Sequence, residues 1–257
     1  MSRLSATHDP RDHFLVLGAG GLGAPALLGL LAAGARRLTI VDRDRVETSN
    51  LQRQVLFDVG DVGAAKASAA KAQLCRRADD LIIDAHVVDL NRQSLAELLD
   101  RHQRDALVLE CTDSPRLKFM VNDACLARGI PAVIGGAVRW RGQALALRRG
   151  AGACYRCIFE SPPPAELAAP CSAVGVIGTA VGVFGHLMAL HAWRLAKGEQ
   201  DSAGTLLAMD LFTLQIQRLR PQPRKSCPAC SDTYTDPTPT PRPEPPRGPH
   251  SLSPDRH

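Results

Sequence analysis

Directly after the apolar run FLVL (residues 14–17) comes Gly18-Ala19-Gly20-Gly21-Leu22-Gly23, and a stretch of small, helix-forming residues then continues to about Gly34. G-x-G-x-x-G between a strand and a helix is the setting that gives this motif its meaning. The glycines permit a tight turn and let backbone N–H groups approach phosphate at a helix N-terminus, where the helix dipole is positive. A second β-type run, LTIVD (38–42), completes the first strand–helix–strand unit. Helical and β-type stretches keep alternating from there. Residues 64–76 read as a helix, IIDAHVV (82–88) as a strand, SLAELLDRH as a short helix, ALVLEC (106–111) as a strand, 116–128 as a helix and PAVIGGA (131–137) as a strand. That alternation predicts an α/β fold, a Rossmann-like and mostly parallel sheet with helices on both faces.

Beyond Val138 the pattern changes to QALALRR, a Cys- and Pro-bearing loop, a long apolar stretch over 173–193 and two further β-type runs, TLLAMDL and QIQRLR. This β-rich half is expected to complete the same sheet. A chain of 257 residues, 45% of them hydrophobic, can bury one substantial core. The expected organisation is a short N-terminal segment (1–13), one folded domain (14–230) and a disordered Pro-rich tail (231–257). The tail holds eight prolines and hardly any large apolar residue, too little to offset its ordering entropy.

The net charge of +5 is small and scattered, without the basic stripe or reading motif of a nucleic-acid binder. No secretory h-region is present in MSRLSATHDPRDH, so a cytoplasmic, reducing location is expected. The 173–193 stretch has nearly the length of a membrane span, but it carries His186, His191 and glycines at 175, 178, 182 and 185. A buried helix packed closely on a neighbour is the expectation, with no membrane contact.

Asp42 closes the second strand near the distance at which an acidic residue meets ribose hydroxyls, so a nucleotide is the expected ligand. The motif alone does not separate NAD, FAD and ATP, nor a glycine turn that merely packs a helix on a strand. Eight cysteines in a reducing compartment point to metal ligands, catalytic thiols or small buried residues. Cys154-x-x-Cys157 and Cys227-x-x-Cys230 supply the four thiolates of a closed structural zinc site, a staple between distant segments. A redox-active CxxC would sit at the start of a helix in a small βαβ unit, a context that neither pair shows in sequence. Cys75, Cys111 and Cys125 read as small buried hydrophobes.

The segment VDRDRVETSNLQRQVLF, followed by GAAKA, adds Arg53 and Lys66 downstream of the acidic strand end. Together with GAGGLG it resembles the ThiF/MoeB/HesA branch of the ubiquitin-activating-enzyme superfamily, which carries a VDxDxVxxSNLxRQ motif and a following lysine. The resemblance runs on through CTDS (111–114), CYRC (154–157), CSAVGVIG (171–178) and CPAC (227–230), and so covers about residues 14–230. It implies ATP-dependent adenylation of the C-terminal carboxylate of a small ubiquitin-like sulfur-carrier protein ending in Gly-Gly, in preparation for thiocarboxylate formation. By the resemblance, Gly18, Gly20, Gly21, Gly23 and Asp42 hold ATP, Arg53 and Lys66 neutralise phosphate charge, Asn50 and Gln54 add hydrogen bonds, and Asp113 helps place Mg2+. Arg offers a planar fork to phosphate oxygens and Lys a compact point charge. Cys171 matches the position considered in the family for a covalent link to the carrier.

Relatives carry an arginine-bearing helix before the first strand that reaches a partner subunit's nucleotide, whereas only Arg3 and Arg11 precede FLVL here. The family's homodimer is still expected. No rhodanese-like extension follows the second cysteine pair, so a separate sulfur-donor protein is expected. Three other readings stay open on sequence alone: an NAD-dependent oxidoreductase, a zinc-bearing binding module without turnover, and an activator of small amides or peptides by adenylation.

Overall fold

In a computed structural model, residues 12–102, 105–163, 175–199 and 202–231 are described. The chain runs β1 (His13–Leu17), α1 (Gly23–Ala32), β2 (Arg37–Val41), α2 (Lys66–Cys75), β3 (Ile82–His86), α3 (Arg92–His102), β4 (Ala106–Glu110) and α4 (Pro115–Arg128). It continues with β5 (Ala132–Val138), β6 (Arg141–Leu147), the one-turn α5 (Tyr155–Ile158), α6 (Gly178–Ala196), β7 (Thr205–Asp210) and β8 (Gln215–Leu219). Two 3-10 turns, Thr48–Asn50 and Val59–Asp61, lie between β2 and α2.

All eight strands form one sheet in the order β3-β2-β1-β4-β5-β6-β7-β8. The first five are parallel, and β6, β7 and β8 join antiparallel. The β-rich half therefore completes the same sheet, as its sequence implies. β1 and β4 are buried at every residue because both faces of the sheet's centre are covered, which is why FLVL and ALVL read as unbroken apolar runs. On one face Phe14, Val16 and Ile40 pack with Leu27 and Leu30 of α1, Leu74 of α2 and Phe184 of α6. On the other, Leu15, Leu17 and Val108 meet Leu95 and Leu99 of α3 and Phe119 of α4.

Composition explains the helix placements. α6 lies against α1 as the expected closely packed pair: a Cβ on Gly185 would stand 2.5 Å from the Leu22 carbonyl oxygen, and one on Gly29 would stand 2.9 Å from the Ala189 Cβ. Among the described residues no helix is long and apolar enough to cross a membrane. α4 is delimited by Ser114 as N-cap, with Pro115 in its first turn, and by Gly129 in the left-handed conformation (φ 69°). Cys111 and Cys125 are buried as expected, but Cys75 is exposed. The buried residues of α2 include Ala67, Ala70 and Leu74, and Cys75 is turned about 100° away from Leu74.

From β1 the chain winds outward through β2 to β3, then returns to place β4 on the other side of β1. Where winding reverses, the helices that follow β1 and β4 go to opposite faces. A crevice opens there at the carboxyl ends of the strands.

Candidate functional site

The glycine loop occupies that crevice, and its glycines answer to different demands. Gly18 has φ +90°, and a Cβ there would approach Thr112 Cγ2 to 3.0 Å. One on Gly23 would fall 1.8 Å from the Gly18 carbonyl oxygen, so both are required by the fold. At Gly20 the nearest atom to an added Cβ is Gln54 Nε2, an ordinary 3.7 Å away. Packing does not require glycine at that point, which leaves close approach of a ligand to the backbone as its use. No side chain caps α1, and its first turn holds no acidic residue.

Asp42, just past β2, is tied to this loop: its Oδ2 accepts from Ala19 N–H (2.7 Å) and its Oδ1 from Asp44 N–H (2.8 Å). Burial pushes its carboxyl above the usual range, opposed by those two N–H groups and by Lys66. Each oxygen keeps a second lone pair, available to a hydroxyl donor such as a ribose.

The 3-10 turn at Thr48–Asn50 holds the predicted polar group together. Arg53 donates from Nη2 to Asn50 Oδ1 (2.5 Å) and from Nη1 to the Ser49 carbonyl (3.2 Å), and Asn50 donates to Glu47 Oε2 (3.1 Å). Gln54 is buried, with its Oε1 unpaired among the described residues. A buried amide oxygen without a donor is costly, and a ligand donor would relieve that cost. Gly178, at the start of α6, lets Gln52 and Arg53 approach, since a Cβ there would be 2.4 Å from the Gln52 carbonyl oxygen. Lys66 opens α2, mostly buried, with its Nζ 3.0 Å from Asp44 Oδ2. Asp44 is the partner that sequence reasoning left unassigned.

Asp113 follows β4 on the same rim of the sheet, exposed and without a hydrogen bond among the described residues. Beneath it lies a network that the sequence reading missed. Glu110, fully buried at the end of β4, accepts from Thr112 N–H (3.0 Å), from the Thr112 hydroxyl and from Lys118 Nζ (2.5 Å). Lys118 also donates to the carbonyls of Thr112 and Gly135, each at 2.7 Å. Burial pushes the Glu110 carboxyl upward, and Lys118 and Thr112 oppose it. The available signal was a glutamate ending an apolar strand, with a lysine eight residues later. Cys171 lies outside the described residues.

The two cysteine pairs meet on the α4 face. Cys154 and Cys157 bracket the first turn of α5, so this pair does begin a helix, contrary to the sequence expectation. Its thiols nonetheless face the other pair. Cys154 is 3.5 Å from Cys227, Cys157 is 3.4 Å from Cys230, and Cys154 is 3.9 Å from Cys157. All four sulfurs lie within 4.8 Å of one another. Thiolates bound at ~2.3 Å around a tetrahedral ion stand ~3.8 Å apart, so this donor set fits a metal ion. Burial pushes Cys154 up to about 12, whereas at Cys157 hydrogen bonds, led by Arg224 N–H at 3.3 Å, outweigh burial and bring it down to about 7. Asn122 supports the cluster through Tyr155 N–H, which donates to its Oδ1 at 2.9 Å.

Comparison with known proteins agrees with this arrangement. The model described as the ThiF family matches residues 10–229. "Sulfur carrier protein adenylyltransferase" of Thermus thermophilus is 36% identical over 231 residues, covering 88% of this chain and 84% of that protein. "Adenylyltransferase and sulfurtransferase MOCS3" of Sus scrofa is 39% identical over 227 residues, covering 86% of this chain and 48% of that protein. The chain thus spans about half the length of that relative. Among solved structures, Escherichia coli MccB crystallised with ATP superposes with a TM-score of 0.71 at 21% identity, covering 85% of this chain and 67% of that one. At that identity the likeness is one of fold.

Proposed function

The chain belongs to the ThiF family, and from that premise we propose that it transfers the adenylyl group of ATP to the C-terminal carboxylate of a small ubiquitin-like sulfur carrier ending in Gly-Gly. A carboxylate oxygen of the carrier forms a bond to the α-phosphorus, the bond from that phosphorus to the bridging oxygen breaks, and pyrophosphate leaves with the electron pair. The acyl-adenylate that remains is an activated form of a poor electrophile.

The observation that carries this reading is the grouping of Arg53, Asn50 and Gln54 beside the glycine loop, with the Gln54 amide oxygen buried and unpaired. Arg53 and Lys66 are the cations for the charge that builds on phosphate oxygens, Lys66 exchanging Asp44 for phosphate as the nucleotide arrives. Asp42 accepts the ribose hydroxyls, and the loop N–H groups face the phosphates. Asp113, exposed and unencumbered, is the carboxylate that would hold Mg2+, which supplies charge neutralisation at the phosphates. The four-cysteine cluster would hold a structural Zn2+. The carrier's body fits the apolar surface at the same rim, where Trp140, Phe212 and Leu214 are exposed on the turns joining β5 to β6 and β7 to β8. Homodimerisation and a separate sulfur donor are parts of the same proposal. So is attack of the Cys171 thiolate on the acyl-adenylate, which would displace AMP and leave a thioester.

Carrier-dependent exchange of labelled pyrophosphate into ATP tests the adenylation step. Loss of a transition-state charge partner typically costs ~2.7–4 kcal/mol, so Arg53→Ala or Lys66→Ala is expected to slow exchange by two to three decades with the fold retained. Wild-type rates in both variants would remove the assignment. Exchange supported by a short peptide and not by a carrier would redirect the substrate to peptide carboxylates or amides.

A further inference from the structure

Asp113 would hold the metal at the proposed site, but that role does not by itself account for a glutamate and a lysine buried next to it in Glu110 and Lys118. Moving two charges out of water is expensive, and replacing a buried ion pair with well-packed apolar groups is often neutral or stabilising. Stability alone is thus a weak reason for this pair. Its bonding pattern suggests another. Lys118 places all three ammonium protons, on Glu110, on the Thr112 carbonyl and on the Gly135 carbonyl. The other Glu110 oxygen takes the N–H and the hydroxyl of Thr112. Thr112 is therefore fixed at its N–H, its hydroxyl and its carbonyl by two side chains. Its hydroxyl oxygen also accepts from Ser114 N–H (3.2 Å), and Ser114 caps α4 by accepting from Leu117 N–H. The backbone on both sides of Asp113 is thus fixed, while its carboxylate stays exposed.

We propose that the Glu110–Lys118 pair is a positioning device that presents the Asp113 carboxylate to the metal of a bound metal–ATP complex. The inference rests on the nucleotide-site reading. Outer-shell groups that orient a metal ligand typically contribute 10–100-fold to metal affinity, and a ligand held ready to bind owes that to the groups that fix it. Neither side chain touches substrate, so both are positioning residues.

The test uses Mn2+ as the probe, titrated into the protein with ATP while free Mn2+ is read by electron paramagnetic resonance, against the same titration of ATP alone. A double variant, Glu110→Gln with Lys118→Met, removes both charges, keeping the side-chain length at 110 and shortening it by the terminal atom at 118. It is expected to lose 10–100-fold in Mn2+ affinity, with ATP affinity in excess EDTA unchanged and a lowered thermal midpoint, since the Thr112 and Gly135 carbonyls lose their Lys118 donor. Asp113→Ala should lose at least as much, and adding the double variant to it should cost nothing further, because the pair acts through Asp113. Wild-type Mn2+ affinity in the folded double variant, or losses that simply add in the triple variant, overturn the inference. If the double variant does not fold, Thr112→Val takes its place, since it removes only the hydroxyl that links Glu110 to Ser114. A loss of Mn2+ affinity that disappears in the Asp113→Ala background supports the inference, and unchanged affinity overturns it. A wild-type protein that takes up no Mn2+ with ATP overturns both the nucleotide-site reading and this inference. Normal wild-type uptake with an unaffected variant overturns the inference alone.

Discussion

Gly20 and Gly18 sit two residues apart and are glycine for different reasons, which single substitutions can separate. Gly18 needs its positive φ and its contact with Thr112, whereas Gly20 has room for a methyl group against the far end of the Gln54 side chain. Gly20→Ala is therefore expected to leave the thermal midpoint near wild type and to weaken ATP binding measured calorimetrically. An unchanged ATP affinity would mean that the loop does not approach the nucleotide. His191 offers a second test at this scale. It is buried on α6 with neither ring nitrogen paired among the described residues, and burial beside Arg194 and Arg218 lowers its pKa from 6.5 to about 4. The unfolded chain takes up this proton as pH falls through 6.5 and the native chain only near 4, so stability present above pH 6.5 is lost as pH falls through that window. The full linkage is roughly 3 kcal/mol, and His13, lowered to about 4 by burial and by Arg37, adds a loss of the same sign. His191→Leu removes an unsatisfied buried group and should flatten the decline in thermal midpoint between pH 6.5 and 4. A variant with the wild-type slope would show that His191 does not carry that loss.

Among the elements, the segment ending in Cys227 and Cys230 follows β8, which is exposed along its whole length, and it meets the body of the protein through the cysteine cluster and through Arg224, which bonds the Arg156 carbonyl. Elemental analysis should find about one zinc per chain, and replacing Cys227 and Cys230 with serine should abolish it and lower the thermal midpoint. ATP affinity should change little, because the cluster lies on the α4 face and the residues proposed to hold the nucleotide are set by β1, β2 and the 3-10 turn. Metal-free protein of undiminished stability would contradict the staple. Strands and major helices were legible because buried parallel strands give unbroken apolar runs, and Gly and Ser-Pro mark the ends of α4. The exposure of Cys75 was less legible, since α2 is rich in alanine and offers little contrast between its faces. The Glu110–Lys118 pair was hidden for a related reason. A charged residue at the carboxyl end of a strand reads as the start of the solvent-facing rim, and only the packing of α4 over it reveals burial.

For the whole molecule, the likeness to MccB is one of fold, and the proposed activity is argued from the assembled site. The glycine loop, Asp42, Lys66 and Asp113, to which the proposal gives the nucleotide and its metal, stand on one rim of the sheet, with an exposed apolar surface further along it. Sequence pattern alone located the loop and Asp42. The roles of Arg53, Lys66 and Asp113 came from family resemblance, because single polar residues in loops carry no periodicity that would distinguish them from solvated ones. The most direct measurement is the intact mass of a Gly-Gly-terminated sulfur carrier incubated with this protein, ATP and Mg2+, quenched rapidly in acid. The account predicts a population heavier by one adenylyl group, attached at the C-terminal carboxylate and absent when the terminal Gly-Gly is removed. Carrier of unchanged mass across the sulfur carriers of the same cell, with ATP bound and intact, would contradict it.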